Sequence, residues 1–127
     1  MIVCPADGPR GQLEEVRAAA EDVLAFTAEF DEADFVALPD RDRRTFRALK
    51  NALTEIGELV DGLPPDLLAR HPGVDWRGWA GLRDVASRRH FGPELPRLQP
   101  TVVDELPLLI AAVAAELARA GDDRAAG

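Results

Sequence analysis

With a single cysteine, Cys4, the chain can form no disulfide within itself, so its fold rests on hydrophobic burial and a reducing compartment is expected. Only two histidines, His71 and His90, are present, and they make no Cys/His cluster with zinc spacing. A glycine-rich phosphate loop and a Gly-x-Ser-x-Gly elbow are both missing, which removes the common nucleotide-binding and hydrolase signatures. No cofactor and no metal are therefore expected. No apolar run is long enough to span a bilayer, and residues 1–10 lack a basic stretch followed by an apolar one. A soluble cytoplasmic protein with no membrane association is the expectation. Period-two alternation is absent over any useful length, which excludes a sheet.

What remains is helical periodicity. The apolar residues Leu13, Val16, Ala20, Val23, Leu24 and Phe30 recur at three- and four-residue steps and predict a first helix over 13–30. Asp31 to Phe35 reads as a short helical turn. A second stripe, Phe46, Leu49, Leu53, Ile56, Leu59 and Leu63, begins after Pro39 with Asp40 as N-cap and stops before Pro64-Pro65. Residues 65–70 read as another turn of helix, closed by His71-Pro72-Gly73. Asp75 then caps a third helix carrying Trp76, Trp79, Leu82, Val85 and Ala86 and ending near Phe91, before Gly92-Pro93. A last helical region starts at 101–104, where Pro107 either kinks it or opens a fresh segment capped by Asp104. Leu106, Ile110, Val113 and Leu117 are its buried stripe.

The fold class is thus all-α, an antiparallel up-down bundle of four main helices plus short turns. A chain of 127 residues suits one domain. The domain is expected over 11–120, between a flexible start (1–10) and a fraying tail (121–127).

A net charge of −8 disfavours nonspecific coating of nucleic acid unless cations are concentrated locally. They are: Arg41, Arg43, Arg44, Arg47 and Lys50 lie against Asp42 alone, after a stretch from Glu14 to Asp40 that is dominated by acids. In the simplest reading these are two complementary solvated faces.

Three features bear on chemistry. Arg83 and His90 are two helical turns apart and return to nearly the same face. Arginine offers a permanently charged fork for phosphate, and histidine exchanges a proton near neutral pH, so the pair suits phosphodiester chemistry. Arg88 and Arg89 beside His90 favour its neutral form, which a general base needs; the same histidine also fits a helix-end residue complementing the dipole. Gly57 interrupts an otherwise strong helix and costs about 1 kcal/mol relative to alanine, which points to close helix packing. Glu58 beside it either reaches an arginine of a neighbouring helix or is surface acid. Trp76 and Trp79 fit core positions better than base-stacking ones, and His71, before a proline in a loop, has no evident direct role.

The order of these elements resembles the HepT-like proteins of the HEPN superfamily. The residues that carry the resemblance are Ile56-Gly57-Glu58, Leu63, Pro65, Pro72-Gly73-Val74-Asp75-Trp76, Ala80-Gly81-Leu82-Arg83-Asp84, Phe91-Gly92 and Glu105-Leu106-Pro107-Leu108-Leu109. It extends over 13–117. It implies a small all-helical homodimer, an RNase toxin of a toxin–antitoxin system paired with an MNT-type nucleotidyltransferase antitoxin. The family motif runs arginine, polar residue, three positions, histidine, one residue, tyrosine. Arg83 and Asp84 fit its start. Aligned without gaps, the histidine position falls on Arg88 and the tyrosine position on His90. The superfamily's arginine–histidine spacing varies, and the six residues between Arg83 and His90 lie within its range.

The resemblance therefore implies a metal-independent endoribonuclease with Arg83, Asp84 and His90 as catalytic residues at a two-fold interface, and Arg88 and Arg89 as RNA-binding residues. Because the chain has no tyrosine, neutralisation by adenylate transfer to that residue cannot operate. The alternative is a catalytically degenerate helical dimer that docks a nucleotidyltransferase-like or other protein partner.

Overall fold

The computed structural model describes residues 9–87 and 95–126, the side chains of 87 and 120–126 excepted. Its helices are α1 (Arg10–Thr27), α2 (Glu32–Arg41), α3 (Arg43–Asp61), α4 (Pro65–Ala69), α5 (Trp76–Ser87) and α6 (Leu106–Ala126), with a 3₁₀ turn at Leu95–Leu98 and a π turn at Thr101–Glu105. No strand occurs among the described residues. The fold is the all-α bundle that the periodicity implies. Among the described residues, no helix is long and apolar enough to cross a membrane.

α1 buries Leu13, Val16, Ala20 and Val23 as expected, together with Ala19. It stops at Thr27, earlier than the apolar pattern suggested, because Leu24 faces solvent and Phe30 belongs to the next unit. Thr27 turns its hydroxyl back to the Val23 carbonyl (2.7 Å), and Phe30 packs edge-on against Phe35 at 5.3 Å.

The predicted short turn at 31–35 is instead the start of the ten-residue helix α2. Asp31 and Asp34 form a reciprocal capping box, each carboxylate accepting the other's backbone N–H at 2.9 Å. Pro39 lies inside this helix. It is tolerated there because it falls in the last turn, where a proline removes one hydrogen bond close to the helix end.

Asp42, and not Asp40, caps α3. Its Oδ1 accepts the Thr45 N–H at 3.1 Å and its Oδ2 accepts the Thr45 hydroxyl at 2.6 Å. These two bonds hold the Asp42 carboxyl below its ordinary range.

α3 is the central element. Leu49, Leu53, Ile56 and Val60 are essentially inaccessible, and the helix packs on α1 along one side and on α5 along the other, while α6 closes over α1. Truncating a buried leucine such as Leu49 or Leu53 costs about 2–5 kcal/mol. Asp75 begins α5 by accepting the Gly78 N–H at 3.0 Å. The expected end of that helix, near Phe91, lies outside the described residues.

The choice left open at Pro107 resolves into a continuous helix. The Leu106 N–H reaches back five residues to the Thr101 carbonyl. This wide turn runs straight into α6, and the proline, which has no N–H to donate, lies immediately after the residue that closes the turn. α6 then continues through Gly121 to Ala126, across the segment expected to fray. No proline follows Pro107 to stop it, and one glycine costs a helix only about 1 kcal/mol.

Candidate functional site

The site begins with Gly57. A β-carbon at this position would lie 2.7 Å from the Arg83 amide nitrogen, 3.1 Å from the Arg83 β-carbon and 3.1 Å from the Trp79 carbonyl oxygen. α3 and α5 therefore touch backbone to backbone, and the glycine in the strong helix is there for that approach. Trp79, Leu82 and Ala86 are buried and fix the rotation of α5. Arg83 is left at the seam, its backbone against α3 and its guanidinium at the surface.

That guanidinium is held by carboxylates. Arg83 Nη1 donates to Asp61 Oδ2 at 3.1 Å, and Arg83 Nε lies 3.8 Å from Asp84 Oδ1. Asp61 is one turn beyond Gly57 on the same face of α3. The neighbouring acid suggested by sequence was Glu58, which is exposed; the carboxylate that meets Arg83 is Asp61. A helical side chain leans toward its own N-terminus, and Arg83 meets the last turn of α3 at Asp61. The Arg83 and Asp61 side chains are 44% and 53% accessible. An exposed pair of this kind is worth about 0–1 kcal/mol, so an incoming phosphate can displace the carboxylate.

Of the expected catalytic residues, the structure thus brings Arg83 and Asp84 together at the surface. His90, Arg88 and Arg89 lie outside the described residues. Among the described residues, no three histidine, cysteine or acidic side chains converge as metal ligands.

The tryptophans are structural. Trp79 is in the core, and the Trp76 indole N–H donates to the carbonyls of Leu68 and His71, both at 3.0 Å.

A second polar cluster escaped the sequence reading. Glu116 of α6 is buried and accepts a bidentate clamp from Arg70, Nη2 to Oε1 at 2.6 Å and Nε to Oε2 at 3.1 Å. His71 Nε2 lies 2.7 Å from Oε2 of the same carboxylate. The Arg70 bonds outweigh the opposing effect of burial, and the His71 bond adds to them, so the Glu116 carboxyl is held down at about 2. The clamp ties the loop after α4 to α6. One signal was available in the sequence: Glu116 stands seven residues after Leu109 and three after Val113, which puts an acid on the buried stripe.

The family described as Ribonuclease HepT-like matches residues 16–116. A protein of Thermococcus cleftensis with the printed name "Probable ribonuclease HepT" is 34% identical over 76% of this chain and 84% of its own length. A protein of Methanocaldococcus jannaschii named only as a candidate RNase is 29% identical over 81% of this chain and 82% of its own. Another so named, from Caldanaerobacter subterraneus subsp. tengcongensis, is 31% identical over 80% and 87%. No solved structure matches the chain.

Proposed function

The chain belongs to the HepT-like ribonuclease family of the HEPN type, and on that premise we propose that it is a metal-independent endoribonuclease whose phosphate-binding group is Arg83. The observation that carries this reading is the seating of Arg83 against Gly57. It fixes the root of an exposed guanidinium at a helix seam and leaves the fork within reach of a polyanion. A planar fork of this kind pairs with two phosphate oxygens at once.

In the proposed reaction His90 removes the proton of the ribose 2′-hydroxyl, and the 2′-oxygen attacks the adjacent phosphorus. The bond to the 5′-oxygen breaks and that oxygen takes up a proton. The products are a 2′,3′-cyclic phosphate and a 5′-hydroxyl end. Arg83 stabilises the added charge on the phosphate, Asp84 stands beside the guanidinium, and Arg88 and Arg89 hold the flanking backbone. Two such sites face each other across a two-fold homodimer, in a toxin whose antitoxin is a nucleotidyltransferase-type protein. Since the chain offers no tyrosine, that partner neutralises by covering the site. End analysis of the cut RNA tests the chemistry: 5′-hydroxyl ends are expected, and 5′-phosphate ends contradict it.

One observation favours a second reading. The Arg83 guanidinium is already engaged by Asp61 and Asp84, as in a residue retained for structure. In that reading the chain is a degenerate dimer that docks a protein partner. Purification from its host then yields a stoichiometric complex and no cleavage in any buffer.

A further inference from the structure

We propose that the groove between the end of α2 and the first half of α3 is a site for the phosphate backbone of the RNA strand, with Arg43, Arg47 and Lys50 as its contacts. The proposal rests on the ribonuclease reading above and extends it to how the substrate is held.

The groove encloses about 540 Å³ and is lined by Pro39, Asp40, Arg43, Phe46, Arg47 and Lys50. Its three cations stand at successive steps of four and three residues, so they form one row along α3. Continued in the same steps, the row passes through Thr54 and arrives at Gly57 and Asp61, the two residues against which Arg83 is seated and paired. The cations and the arginine contact thus lie on one face of one helix. Lys50 and Gly57 are about 10 Å apart along its axis. A strand whose reacting phosphate rests on Arg83 can lay its flank in the groove.

Pairing among the described residues does not explain the row. Arg43, Arg47 and Lys50 make no salt bridge among the described residues. Of the acidic stretch expected to complement them, Glu14 pairs with Arg10 and Glu21 with Arg17, both within α1. Arg41 pairs with Asp34, and Asp42 is committed to Thr45. Arg43 and Arg47 also occupy the first turns of α3, where the helix dipole disfavours cations. In a chain of net charge −8, three cations against the single acid Asp40 give this groove a local positive excess that a polyanion can meet.

Arg43 to Lys50 spans about 10 Å, over which a nucleic acid strand presents two or three phosphates at about 3.4 Å of axis each in duplex form. Phe46 adds a partly buried aromatic side chain to the same groove.

The test is binding of a fluorescent 2′-O-methyl RNA oligonucleotide, which the proposed chemistry cannot cut, to the full chain over a range of salt concentrations. The comparison is between wild type, the triple variant Arg43→Ala/Arg47→Ala/Lys50→Ala and the charge-keeping variant Arg43→Lys/Arg47→Lys/Lys50→Arg. Alanine favours helix, so the triple variant retains its fold, which circular dichroism verifies. With about 0.7 per phosphate contact on single strands, the slope of log K against log salt is expected to fall by about 2 in the alanine variant and to hold in the charge-keeping one. A wild-type slope in the alanine variant overturns the proposal, leaves the ribonuclease reading in place and assigns the row to an acidic protein surface. A wild type that binds no RNA overturns both.

Discussion

The Arg83 amide nitrogen lies 2.7 Å from the point a β-carbon on Gly57 would occupy, closer than any side chain at that position permits. Alanine at 57 improves the helix by about 1 kcal/mol in isolation, yet here α5 has to move because the obstruction is backbone. Gly57→Ala is expected to destabilise the protein by about 1–3 kcal/mol, the range for overpacking. Cleavage should fall further than the loss of fold explains. Urea titration and a cleavage assay on the same preparation check both.

How the sequence foretold some of this and missed the rest follows from where each signal resides. Gly57 was readable because a glycine in a strong apolar stripe needs a reason, and Trp79 and Asp75 were readable from spacing and capping. The length of α2 is hidden in the sequence because Pro39 reads as a boundary, whereas a proline in a last turn removes little. Asp40 and Asp42 are both acids before α3, and only the paired bonds to Thr45 choose between them. The partners of Arg83 and Glu116 depend on where distant helices cross, which local periodicity does not contain.

Asp61 competes with a bound phosphate for Arg83. Asp61→Asn should leave stability within about 0.5 kcal/mol, as for most exposed pairs. It should tighten RNA binding by up to about fivefold, since one unit charge at contact distance in water is worth about 1 kcal/mol. Weaker binding in this variant would mean that Asp61 aligns the guanidinium for RNA and does not compete with it.

Glu116 makes stability depend on acid. Its folded carboxyl titrates at about 2 against an ordinary 4.5, so its contribution is complete above 4.5 and is lost as pH falls toward 2. Glu116→Gln should cost about 1–3 kcal/mol at neutral pH, because Arg70 and His71 lose a charged acceptor. The gap between wild type and variant, read from denaturant midpoints, should narrow as pH is lowered from 5 to 3. A constant gap would contradict the clamp.

A site composed across a two-fold axis requires the dimer in solution. Sedimentation at micromolar concentration is expected to give twice the chain mass of 13.8 kDa. A monomer there would leave the composite site without its geometry.

Cleavage of structured RNA in EDTA by wild type, Arg83→Ala and His90→Ala proteins, purified identically, decides whether these two residues carry the reaction. The wild type is expected to cut and each variant to lose at least about a hundredfold, the scale of one catalytic group. Equal cutting by all three would show the activity to be a contaminant or to reside elsewhere, and would contradict the assignment of Arg83 and His90.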